Sequence, residues 1–120
     1  MTTHVFKSID FTYLDSLIDG DIETKQVIIS TLLEEVPEEI GLLKTALVDG
    51  NWNEFHEVSH KLKSTLAYVG NDAIFDANQN MMIASRNAEN LDKIPTWLSE
   101  VEKHWENIEP ELHDALADLG

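Results

Sequence analysis

His60 belongs to two patterns of reactive residues that predict different chemistries. Read backwards it closes His56-Glu57-Val58-Ser59-His60. That is the HExxH spacing, in which two imidazoles one helical turn apart ligate zinc and the glutamate acts as general base. Read forwards it opens His60-Lys61-Leu62-Lys63-Ser64, an imidazole nucleophile with an ammonium group one turn later. An exposed imidazole is substantially neutral near pH 7 and can attack an electrophile through a ring nitrogen.

The surroundings of His60 discriminate between the two. On a helical wheel advancing about 100° per residue, Val58, Leu62 and Val69 fall at roughly 160–200° from His60, with Phe55 and Leu66 near 220–240°. These apolar residues form one stripe almost opposite His60, which is therefore expected to face solvent. His56, Lys63, Ser64 and Ala67 share its face within about 60°. Ser64 and Ala67 are small, so another protein can approach the imidazole closely. From Val58 to Asn71 there is no acidic residue and there are two lysines, whereas the other 106 residues hold all 23 acids and six basic side chains. Such a window suits a negatively charged phosphoryl group or an acidic pocket on a partner.

The elements that must position these residues read as helices. Apolar residues recur at helical rather than alternating spacing, and no convincing strand is found. A short first helix is expected over Asp10 to Ile18, capped by Ser8 or Asp10. A second runs about Ile22 to Val48, with a kink or break at Pro37 and Glu38 and Glu39 in the first turn of a restarted helix. The third covers Trp52 to Val69 and stops at Gly70. A fourth, capped by Asn71 or Asp72, carries Ala73, Ile74, Ala77, Met81, Ala84 and Ala88. The last starts near Pro95 and places Trp97, Val101, Trp105, Ile108, Leu112, Leu116 and Leu119 inward, with a kink expected at Pro110 and the tryptophans as core anchors. The expected architecture is all-α: an antiparallel four-helix bundle with an additional short N-terminal helix, one domain over residues 1–120.

Bulk composition narrows the function classes. At 120 residues and 42% hydrophobic, the chain can bury a core and is not a disordered acidic tail. Its net charge of −15 repels phosphate backbones and anionic lipid, so neither nucleic acid nor membrane is an expected partner. Cysteine is absent, which excludes disulfides, thiolate metal sites and cysteine nucleophiles, and fits a reducing cytoplasm. No signal peptide or membrane span is evident. Met1 and the lack of a linker lean toward a free-standing protein, and a monomer is expected.

The segment His60-Lys-Leu-Lys-Ser-Thr-Leu-Ala-Tyr-Val-Gly70 resembles the signature of histidine-containing phosphotransfer (HPt) domains, H-x-[LI]-K-G-x-x-x-x-x-G, with His60, Leu62, Lys63 and Gly70 in register. A leading short helix, the Asp19-Gly20-Asp21 turn, Glu34-Glu35-Val36-Pro37 in a long helix and the Asp49-Gly50-Asn51-Trp52 turn extend the likeness over nearly the whole chain. Ser64 departs from the family glycine, which puts the closeness of partner approach in question. The resemblance implies that His60 is the phosphoacceptor and Lys63 stabilises the phosphoryl group, with Ser64, Ala67, Gly70, His56 and Lys61 supporting docking. It implies receiver domains of a hybrid histidine kinase and of a response regulator as partners. It also implies a phosphocarrier without its own ATP or metal site, Mg²⁺ being supplied by the receiver.

Two alternatives stand beside it. The zinc reading lacks its continuation, since Lys63 and Leu66 occupy the positions where the extended motif needs glycine and a third histidine, and a lysine repels a divalent cation. A helical adaptor that docks on a receiver without carrying phosphate is the other. Arg86, the single arginine, sits on the fourth helix as a surface residue or within reach of the site. His4, His104 and His113 are expected at surface or half-buried positions.

Overall fold

The computed structural model describes residues 6–120, with no strand among them. The elements are α1 (Thr12–Ile18), α2 (Ile22–Asp49), α3 (Trp52–Ala67), α4 (Asp72–Asn87), a 3-10 turn (Leu91–Lys93) and α5 (Ile94–Leu119). Helix starts follow local side-chain chemistry. The carboxylate of Asp21 accepts from the Thr24 N–H, Asn51 from Glu54 and Asn71 from Ile74, each satisfying an amide that the first turn leaves unpaired. Asp10 does the same for Thr12, so α1 begins two residues later than its spacing predicts.

Short turns make successive helices antiparallel, and α5 returns to pack on α2 and close the bundle. Two cross-links are consistent with that register. The Gln26 side-chain amide donates to the Leu119 carbonyl at 3.2 Å, and Lys44 pairs with Glu102 at 2.9 Å. The core is filled by Leu32, Val36 and Leu43 from α2, Phe55, Leu62 and Leu66 from α3, Ile74 and Met81 from α4, and Val101, Ile108 and Leu112 from α5. Helix α1 leans on α2, where the Lys25 ammonium sits 2.8 Å from the Asp15 carboxylate and 4.6 Å from the centre of the Phe11 ring.

Neither proline breaks its helix: α2 continues through Pro37 and α5 through Pro110. Ile29, Leu32, Val36, Ile40 and Leu43 bury on both sides of Pro37. Each such side chain contributes about 1.5–3 kcal/mol, which outweighs the roughly 3 kcal/mol of one proline. Glu39 is consequently not in a first turn but inside the bundle, only 3% exposed. Ala88 lies just past α4 in a left-handed conformation, φ +54°, rather than on the helix. Trp105 is buried as an anchor, while Trp97 is only half-buried. His4 lies outside the described residues; His104 is half-buried and His113 exposed.

Candidate functional site

Helix α3 presents His60 because its opposite face is sealed. Phe55, Leu62, Leu66 and Val69 are completely buried, and His60 is exposed. A polar clamp fastens the helix beside it. The Asn78 amide on α4 donates to the Ser59 carbonyl at 2.9 Å in a buried setting, and the Ser59 hydroxyl donates to the His56 carbonyl at 3.0 Å. Such a bond holds the backbone of α3 at a fixed distance from α4, one residue before the imidazole.

His56 is half-buried and its Nδ1 lies 3.2 Å from the Met82 carbonyl. A carbonyl only accepts, so Nδ1 carries the hydrogen in this contact and Nε2 is left with the lone pair. The His56 and His60 rings are nearly parallel, 16° apart, with centroids 6.0 Å from each other.

The two lysines flank His60 on opposite sides. Lys63 is half-buried and borders a groove shared with Tyr13, Ser64, Ala67, Tyr68 and Phe75. Tyr13 and Tyr68 stack there with centroids 6.4 Å apart, and Tyr13 remains 52% exposed. Lys61 turns toward α2, where its Nζ lies 3.6 Å from the Glu39 carboxylate. Burial pushes the Glu39 carboxyl above its ordinary range; Lys61 opposes that rise and Glu35 adds to it. Neither Glu39 oxygen has a hydrogen-bond partner.

Gly70 lies in the turn beyond the end of α3, ten residues along the chain from His60. Its φ is +74°, and a Cβ there would collide with the Asp10 backbone carbonyl. The Asp10 N–H donates to the Val69 carbonyl at 2.9 Å, and the Asn71 amide donates to the Ser8 carbonyl at 2.9 Å. Gly70 thus lets the N-terminal segment cross the α3–α4 turn. His60, His56, Lys63, Ser64 and Ala67 are brought to one face; Lys61 lies at its α2 edge and Gly70 at the far end. Arg86 is exposed in the last turn of α4.

The zinc reading finds no third ligand among the described residues. Among the described residues no group of three or more His, Cys, Asp or Glu side chains could hold a metal ion. Nor is any described helix long and apolar enough to cross a membrane. Sequence reasoning missed Asn78, Glu39 and the aromatic wall of the groove. Asn78 was legible in principle, because it stands four residues after Ile74 and four before Met82 on one apolar stripe.

Comparison with curated proteins and with solved structures yields no match. A family model described as the Hpt domain matches residues 27–119, from α2 through the end of α5. That span contains His60, Lys61, Lys63 and the four-helix bundle apart from the first residues of α2, and the chain belongs to the Hpt domain family, the phosphotransfer modules of two-component signalling.

Proposed function

We propose that His60 accepts a phosphoryl group from the aspartyl phosphate of one receiver domain and passes it to the aspartate of a response-regulator receiver. The observation that carries this is the exposed imidazole on a helix face with small neighbours, flanked by two cations in a window free of acids. A lone pair on a His60 ring nitrogen attacks phosphorus in line. The P–O bond of the aspartyl phosphate breaks, its electron pair stays on the aspartate oxygen, and the other ring nitrogen keeps its proton. Onward transfer reverses the bookkeeping: an aspartate oxygen bonds to phosphorus and the P–N pair returns to the imidazole. Such reactions depend on positioning and charge stabilisation, so a rigid bundle with a nearby ammonium suffices on this side.

Lys63 neutralises the phosphoryl oxygens, and Ser64 and Ala67 leave room for the receiver. The Mg²⁺ and the acidic pocket belong to the receiver, and the reaction takes place in the cytoplasm. The test is incubation with a phosphorylated receiver domain. The parent should acquire an acid-labile, base-stable label and His60→Gln none; equal labelling of the two proteins removes His60 from the mechanism.

A further inference from the structure

The His56 ring is held more firmly than a bystander on a helix rim requires. Its Nδ1–H is tied to the Met82 carbonyl across the α3–α4 interface, and its other face lies parallel to His60 at 6.0 Å. Met82 is itself buried and its carbonyl also accepts from the Ser85 hydroxyl at 3.0 Å, so the anchor is a fixed point of α4. A histidine whose Nδ1–H is committed to a backbone carbonyl has its tautomer and ring direction set, leaving Nε2 as the ring nitrogen free to bond elsewhere.

Resting on the phosphoacceptor role of His60, we infer that His56 is a positioning residue for the transferred phosphoryl group. Its anchored ring limits the rotamers of His60, and its Nε2 becomes a hydrogen-bond donor to the phosphoryl oxygens when it takes up a proton. A dianion on His60 favours that protonated form. The bond is then charge-assisted, adding to Lys63 from the α4 side of the site. The other charged groups along these helices are Glu54 and Glu57 on α3 and Asp72, Asp76 and Arg86 on α4, with Glu57 beside His56 and Arg86 four residues beyond Met82. Lys61 is drawn off toward Glu39 on α2.

This predicts a phosphohistidine whose lifetime changes with pH through the imidazole range. The full chain, labelled from a phosphorylated receiver or with phosphoramidate, is followed between about pH 5.5 and 8.5. Parallel samples carry His56→Gln and His56→Phe, the latter preserving a planar ring against α4 without a titrating nitrogen. The ratio of phosphate loss in either variant to that in the parent is expected to be about fivefold larger at the acid end than at the alkaline end. Its His56 ¹⁵N resonances should move toward the protonated form when His60 is phosphorylated. Two folded variants matching the parent's pH profile, or a His56 spectrum unchanged by phosphorylation, would overturn the inference. Should one variant fail to fold, the other and the spectrum of the parent still decide. A parent that takes no phosphate on His60 instead defeats the proposed function itself.

Discussion

Lys63 and His60 do separable jobs, and a single substitution distinguishes them. Lys63 lies at the rim of a groove rather than in the core, which leaves its ammonium for the phosphoryl role proposed above. Lys63→Ala should slow phosphotransfer about tenfold, equivalent to about 1.4 kcal/mol, while changing stability by no more than about 0.5 kcal/mol. Matching transfer time courses against a thermal melt checks both halves. His60 and its face were legible from the sequence, because the apolar stripe of Phe55, Leu62, Leu66 and Val69 leaves one direction open. The partners of His56 and Lys61 were not. Met82 and Glu39 lie 26 residues ahead and 22 residues behind, and only helix packing brings them into contact.

At the level of elements, two positions test how the helices are joined. Gly70→Ala meets both a left-handed backbone and the Asp10 carbonyl. The conformation costs about 1–2 kcal/mol and a displaced Asp10–Val69 hydrogen bond about 1 kcal/mol more, so a loss of roughly 2–3 kcal/mol is expected in urea unfolding. Glu39 acts in the opposite sense. Because burial raises its carboxyl above the ordinary value, the folded state holds that proton more tightly than the unfolded chain. The resulting stabilisation is present below the ordinary glutamate range and is lost as pH rises through the raised value. Glu39→Met should therefore stabilise the bundle by about 1–3 kcal/mol near pH 7, with the gain shrinking near pH 4. A variant less stable than the parent at pH 7 would show that the Lys61 pair outweighs the desolvation of Glu39. Helix α2 does not break at Pro37, since the penalty there is local while the burial that overrides it is spread along all of α2.

For the molecule as a whole, charge is the dominant unpaired quantity. A net −15 spread over a bundle of 49 × 22 × 20 Å repels itself, and described pairs such as Lys44–Glu102 are too exposed to compensate. Raising salt from about 0.01 M to about 0.1 M shortens the screening length from roughly 30 Å to 10 Å. The melting temperature should rise by about 3–6 °C over that range, measured by circular dichroism. A flat or falling response would mean that attractive pairs, not self-repulsion, govern the charge balance. The same field makes the acid-free window around His60 more distinct, since the acidic receiver pocket proposed as its partner would find few other places on this surface to approach.

By itself the sequence determined that the chain is helical, where its helices turn, and which face of α3 is sealed, because these follow from spacing and from capping residues acting over a few positions. It also presented His60, Lys63 and Gly70 at family spacing. Only the tertiary structure decided what surrounds them: that Asn78 clamps Ser59, that Glu39 is buried against Lys61, that Met82 fixes His56, and that Gly70 yields to the N-terminal segment. Each of these is a contact between residues distant in the chain. Their formation depends on the register of one helix against another, which the closing of the whole core sets and no local pattern encodes.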